Sequence, residues 1–236
     1  MIIDSIRYRD GHTGLEGVLL YDEAVPGRRP GILMVHGGAG LDAHAKDRAR
    51  RLAELGYVVF ACDMFGEGVA GDRARTVAVI HDLRGSRQRI CDRAQAGMDV
   101  LLASPGVDGR LGAVGYCFGG MAVLELARGG RGVAGVVCVH GRLETATPAL
   151  QGETKARILV CHGALDPYAP PSHVAAFIEE MNKAAADWQI IVYGQAMHGF
   201  THENATGQTP GVAYHAASDA RSSAAIRSFL AELFSD

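Results

Sequence analysis

Residues Leu111–Arg128 read LGAVGYCFGGMAVLELAR. The first six, Leu111–Tyr116, are an apolar run of strand length, and Gly119–Arg128 reads as a helix. Between them, Gly115-Tyr116-Cys117-Phe118-Gly119-Gly120 sets a cysteine between glycines, the pattern G-x-nucleophile-x-G in which serine is more usual. Glycine on both sides lets the chain turn sharply from strand into helix and hold the thiol out at the turn. Cys117 is therefore the candidate nucleophile, and its setting predicts an α/β architecture. The bland alternative is a buried structural thiol at a strand end, which is how Cys62, Cys138 and Cys161 are read.

The same alternation extends in both directions from this turn. Upstream, Met1–Arg9 and Leu15–Glu23 read as a leading pair of strands about a turn at Asp10–Gly14. Gly31–His36 (GILMVH) is a strand ending in glycines. Asp42–Leu55 carries Ala45, Ala49, Leu52 and Leu55 at helical spacing and stops at Gly56. Tyr57–Cys62 (YVVFAC) is the next strand, and Leu83–Ser104 reads as a long helix closed by Pro105. Downstream come strands Val133–Val139 and Arg157–His162, helix Pro171–Ala185, strand Trp188–Tyr193, and a closing helix over Ala213–Phe234. Strands apolar on both faces that alternate with helices predict a mostly parallel, doubly wound sheet with helices on both faces. No linker, repeat or low-complexity tract interrupts the pattern, so the expectation is a single domain over 1–236.

Composition narrows the function classes. The chain has 236 residues, 48% hydrophobic and 21% charged, close to the average for a globular protein. The net charge is −3 and no basic patch stands out, which argues against a nucleic-acid surface. The longest apolar runs are about six residues, far below the ~20 that span a bilayer, and the N-terminus MIIDSIRYRD has no signal-peptide core. The five cysteines (62, 91, 117, 138, 161) are scattered, with neither C-x-x-C pairs nor metal-ligand spacing. A soluble protein of the reducing cytoplasm is expected. A homodimer is the expected assembly, although no residue marks its interface.

In a parallel sheet of this kind, ligands sit beyond the carboxyl ends of the strands. The residues that follow each apolar run are His36-Gly37-Gly38, Asp63-Met64-Phe65, Cys117, His140, Asp166 and His198. A nucleophilic thiol needs a base, and the base needs a group to orient it. His198, in Gln195–Phe200 (QAMHGF), suits the base, and Asp166, in His162–Pro167 (HGALDP), suits the orienting acid. The order nucleophile, acid, histidine is that of the α/β-hydrolases. Taken singly, Asp166 could be a helix cap and His198 a surface histidine. The oxyanion hole is assigned to the Phe118 N–H, at a helix N-terminus, and to the Gly38 N–H in the turn after the third strand. Gly37, Phe65 and His202 are tentative pocket residues. The His36–Gly40 turn lacks both G-x-G-x-x-G and the Lys-Ser/Thr of a P-loop, which argues against a nucleotide.

These residues resemble the dienelactone hydrolases, cysteine members of the α/β-hydrolase fold. The likeness runs from about Gly31 to the C-terminus. It takes in the glycine turn after His36-Gly37, the segment Leu52–Tyr57 (LAELGY) with Asp63, and Gly115–Gly120. His162-Gly163 with Asp166-Pro167, and His198-Gly199-Phe200, complete it. The resemblance implies a Cys117, Asp166, His198 triad that hydrolyses small esters or lactones through a thioester, with no metal or cofactor. Two departures matter. The family's glutamate after the third strand, which engages the resting thiol, corresponds here to Gly37, so a Cys117–His198 pair active before substrate arrives is expected. The family's carboxylate-gripping arginine four residues after the histidine corresponds to His202. Arg73, Arg75, Arg84 and Arg87 lie in the stretch where a second would fall. A neutral ester or lactone is therefore the expected substrate ahead of a dienelactone.

A neutral phosphotriester is a further substrate expectation, because attack geometry and oxyanion donors built for a carbonyl also serve a phosphoryl centre. Readings from other classes stay open. A metal-dependent hydrolase would use His36, His140, His162, His198 and His202, although no H-E-x-x-H or carboxylate cluster accompanies them. A non-catalytic binding module on the same fold would leave the ordered triad without purpose. Redox sensing at Cys117 reads as a vulnerability of a reactive thiol. Acyl transfer to an acceptor other than water would use the same triad.

Overall fold

In the computed structural model, which describes residues 1–235, the chain's contacts separate into two units, Met1–Val114 and Gly115–Asp236. The last residue of the expected 1–236 domain, Asp236, lies outside the described residues. The first unit holds β1 (Ile2–Asp10), β2 (Thr13–Tyr21), β3 (Arg29–Val35), α1 (Ala43–Ala53), β4 (Val58–Cys62), α2 (Arg73–Arg84), α3 (Arg87–Ala103) and most of β5 (Val107–Tyr116). The second holds α4 (Phe118–Arg128), β6 (Gly135–Val139), β7 (Arg157–Gly163), α5 (Pro171–Ala184), β8 (Trp188–Tyr193) and α6 (Ala216–Leu233). The strands form one sheet in the order β1-β2-β4-β3-β5-β6-β7-β8. This is the mostly parallel, helix-covered sheet of the α/β-hydrolase fold that the sequence pattern predicts.

In the first unit, β1 and β2 form an antiparallel hairpin and β2 runs antiparallel to β4, whereas β3 and β4 are parallel. The sequence explains the difference. β4, VVFAC, is buried at every position, and so are the last five residues of β3, as a strand covered on both faces requires. β1 instead alternates half-buried and exposed positions at the sheet edge. Asp42 caps α1 by accepting from the Ala45 N–H at 2.9 Å, and Ala45, Ala49 and Leu52 face inward as their spacing predicts. Leu55 does not; it lies beyond the helix end and is exposed.

One helix assignment needs correction. Leu83–Ser104 is not continuous: α2 ends at Arg84, and α3 starts at Arg87 after Ser86 caps it by accepting from the Arg89 N–H. Asp72 caps α2 in the same way, through the Arg75 N–H. α2 buries only Thr76 and Leu83, so it has no apolar stripe for periodicity to detect.

In the second unit, β6, β7 and β8 are parallel neighbours. All eleven residues of α4 are buried, Glu125 and Arg128 included. The Arg128 guanidinium donates to Glu125 at 2.9 Å, to both carboxylate oxygens of Glu180 on α5 at 2.8 Å, and to the Leu143 carbonyl at 2.7 Å. This buried network ties the helix that carries Cys117 at its start to α5 and to the segment after β6. Among the described residues, no helix is long and apolar enough to cross a membrane.

Candidate active site

Cys117 joins β5 to α4 with φ 54° and ψ −112°, a conformation L-residues rarely adopt. Such strain costs on the order of 1–3 kcal/mol and persists only where the surroundings impose it. Here the Cys117 N–H donates to the Val139 carbonyl at 3.0 Å, and the Cys117 carbonyl accepts from Met121 N–H as α4 begins. The flanking glycines are needed for a specific reason: a Cβ on Gly115 would lie 2.0 Å from the Gly119 carbonyl oxygen. Phe118 opens α4, where the helix dipole favours negative charge.

Two strand ends supply the partners. His198 Nε2 lies 3.1 Å from Cys117 Sγ, and His198 Nδ1–H donates to Asp166 Oδ2 at 2.9 Å. Asp166, in the turn after β7, has a wholly buried side chain; its other oxygen accepts from the Tyr168 N–H at 2.8 Å. It is not the cap of α5, since Pro170 holds that position. His198 follows β8 and is held through its backbone, donating to the Gly211 carbonyl at 3.0 Å and accepting from Ala213 N–H at 3.2 Å. Its ring lies between those of His140 and Tyr168, with centroids 5.3 and 4.8 Å away.

The electrostatics follow from this geometry. Burial works to lower the His198 pKa, but its bonds to Asp166 and Cys117 outweigh burial and lift it to about 10. The imidazolium is thus the favoured form beside Sγ, and a cation there favours the thiolate, the reactive form of cysteine. The structural cysteines contrast sharply. Burial pushes the Cys138 and Cys161 thiols up to about 12 and raises that of Cys62 further. Among the described residues no cysteine is in a disulfide, and of the five only Cys117 is partly exposed.

The remaining expected site residues are placed as follows. Gly37 and Gly38 form the half-buried turn after β3. Phe65 is buried with its ring edge against His36, centroids 4.5 Å apart. His202 stands half-buried one turn after His198, its N–H bonded to the Gly199 carbonyl at 2.8 Å. Of the histidines proposed for a metal, His36 bonds to backbone on both ring nitrogens, and His140 bonds to Thr201 Oγ1 at 2.8 Å. Among the described residues, no group of three His, Cys, Asp or Glu side chains is arranged to hold a metal ion. Sequence reasoning missed Tyr168 as a wall of the His198 ring. It also missed the strained backbone of His140 at φ 39°; neither has a sequence signal beyond its place at a strand end.

A fold and a site of this kind define a class of enzyme, and comparison with known proteins assigns it. The model of the dienelactone hydrolase family matches residues 15–234, and the chain belongs to that family of hydrolases. A solved relative, a dienelactone hydrolase-like promiscuous phosphotriesterase from metagenomic libraries, is 38% identical, with a TM-score of 0.92 over 99% of both chains. An uncharacterised Caenorhabditis elegans protein is 38% identical over 149 residues, 60% of this chain and 92% of its own. A Methylorubrum extorquens protein named as a carboxymethylenebutenolidase is 27% identical over 202 residues, 78% of this chain and 69% of its own.

Proposed function

We propose that the 236 residues act as a single α/β-hydrolase domain that cleaves small neutral esters or lactones through a Cys117–His198–Asp166 triad. The observation that carries the reading is the unbroken chain from Sγ through the imidazole to a buried carboxylate, at 3.1 and 2.9 Å. Both lengths suit proton transfer and orientation of the base.

Cys117 Sγ, as the thiolate, attacks the substrate carbonyl carbon to form a tetrahedral oxyanion. The N–H group of Phe118, at the start of α4, stabilises that charge. As the C–O bond breaks, His198 Nε2–H passes its proton to the departing alkoxide, leaving an acyl-thioester and a neutral imidazole. His198 then takes a proton from water, the hydroxide attacks the thioester, and Sγ leaves as thiolate beside the restored imidazolium. Asp166 holds the tautomer and balances the charge throughout. No metal or cofactor enters these steps, and the thiol must stay reduced, which suits a cytoplasmic enzyme.

A second reading is favoured by the 38%-identical promiscuous phosphotriesterase. In it Sγ displaces an aryloxide from a neutral phosphotriester, and water later hydrolyses the phosphothioester. A panel of p-nitrophenyl esters, lactones, a dienelactone and a chromogenic phosphotriester tests both readings on wild type, Cys117→Ala and Cys117→Ser. Turnover of esters or lactones that vanishes in Cys117→Ala is expected. Ester turnover that survives the substitution refutes the triad, and phosphotriester turnover that survives it refutes the second reading.

A further inference from the structure

β6 ends beside two members of the proposed triad. Its last residue, Val139, accepts the Cys117 N–H at 3.0 Å. The next, His140, is 3% exposed and lies edge-to-face with the His198 imidazole, ring centroids 5.3 Å apart. One residue thus holds the backbone of the nucleophile, and its neighbour walls the base. His140 takes this place with φ 39°, in the left-handed region that non-glycine residues seldom enter. Strain of that kind persists only where the surroundings impose it, and it gathers at functional sites.

The surroundings that impose it can be named. The His140 N–H donates to the Cys161 carbonyl of β7 at 2.9 Å. The next residue, Gly141, is pressed against the first turn of α4: a Cβ there would lie 2.7 Å from the Gly120 carbonyl carbon. Tyr116 and Phe200 close round the ring, with centroids 6.0 and 5.2 Å from it. His140 is therefore anchored to the helix that Cys117 begins. A hydrogen bond of 2.8 Å between its Nε2 and Thr201 Oγ1 ties it also to the segment that carries His198. Thr201 follows His198 by one turn of chain and is 1% exposed.

A ring contact alone lets an imidazole tilt, whereas a hydrogen bond has a required direction. His198 must aim Nε2 at Cys117 Sγ and Nδ1 at Asp166 together, 3.1 and 2.9 Å away. Turning the ring about its bond to the chain weakens both at once. Tyr168 blocks that rotation on one side and His140 on the other. A phenylalanine at position 140 would supply the wall but not the tether.

We propose that His140 is a positioning residue for catalysis: held by Thr201, it fixes the tilt of the His198 imidazole between Cys117 and Asp166. This deepens the proposed function and rests on its use of His198 as the base. His140 touches no reacting atom. It keeps the base aligned before substrate arrives, so that little reorganisation is left for the chemical step.

Three substitutions test it. Thr201→Val removes the hydroxyl at nearly constant shape, Thr201→Ser keeps it, and His140→Phe keeps a ring but loses the tether. Thr201→Val and His140→Phe should each lower kcat for a p-nitrophenyl ester about 10- to 100-fold, the scale of a small misplacement. Thr201→Ser should keep a kcat at least about threefold above that of Thr201→Val. Both losses come from one bond, so the double variant should fall no more than about threefold below the weaker single. Misaligning His198 also withdraws its cation from Cys117. The pH midpoint for alkylation of Cys117 by iodoacetamide should then rise by roughly half a unit or more in Thr201→Val and His140→Phe. Mere loss of folded protein would lower the rates and leave that midpoint in place. Should His140→Phe fail to fold, the two Thr201 variants decide alone. An unmoved midpoint, a Ser variant no better than the Val variant, or a double variant whose loss is the product of the singles would each overturn the inference. Full ester turnover by Cys117→Ala would instead overturn the triad beneath it.

Discussion

Asp166 Oδ2 accepts the His198 Nδ1–H at 2.9 Å from a carboxylate with no exposed side-chain surface. A buried carboxylate is costly unless its oxygens are bonded, and here both are, one by the imidazole and one by the Tyr168 N–H. The imidazole in turn keeps a proton far above its ordinary range because the carboxylate and the thiol face it from two sides. The imidazole therefore depends on both neighbours to keep its charge.

Removing that carboxylate should damage catalysis far more than folding. Asp166→Asn keeps the shape but loses the charge and invites the wrong tautomer, so kcat for an ester should fall roughly 10⁴-fold, as in serine triads. Steady-state kinetics with p-nitrophenyl butyrate checks this. A loss under tenfold would separate Asp166 from the mechanism.

The same pair gives a pH signature. The His198 pKa is raised in the fold from 6.5 to about 10, so its stabilising contribution is complete below about 6.5 and is lost as pH rises through about 10. The stability advantage of wild type over Asp166→Asn should thus be greatest near pH 6 and shrink toward pH 10. Urea denaturation of both proteins across that range measures it, and a gap that widens with pH would contradict the assignment.

Gly115→Ala should be among the most destabilising single changes. Its Cβ would lie 2.0 Å from the Gly119 carbonyl oxygen, a backbone atom that cannot swing aside. A cost of about 3 kcal/mol or more is expected, read as a fall in the midpoint of denaturant unfolding. A variant as stable as wild type would mean that the elbow closes differently.

Arg128→Met probes the other end of α4. The substitution leaves the Glu125 and Glu180 carboxylates, only 6% and 11% exposed, without their cation. Breaking a buried network from one side costs about 3–5 kcal/mol. The double change with Glu180→Met should recover part of that loss, and a double mutant no more stable than the single one would show that the pair is not coupled.

The parts of this molecule legible in the sequence are those where chemistry and backbone coincide. Cys117 is marked by glycines that sterics demand, and Asp166 and His198 stand directly after apolar runs that are strands. β8 and the start of α5 match their predicted bounds because a run rich in β-branched and aromatic residues and a proline leave little choice. α2 escaped because RARTVAVIHDLR buries two residues and shows no stripe, and the Gly85-Ser86 break was read through because both flanking segments suit a helix.

The central claim is that Cys117 carries the acyl group, and acid-quenched peptide mass spectrometry in the first turnover of a p-nitrophenyl ester tests it most directly. The account predicts the acyl mass on the peptide that contains Cys117 in wild type, with no acylated peptide from Cys117→Ala. An acyl group on any other residue, or equal release of nitrophenol by the two proteins, would contradict it.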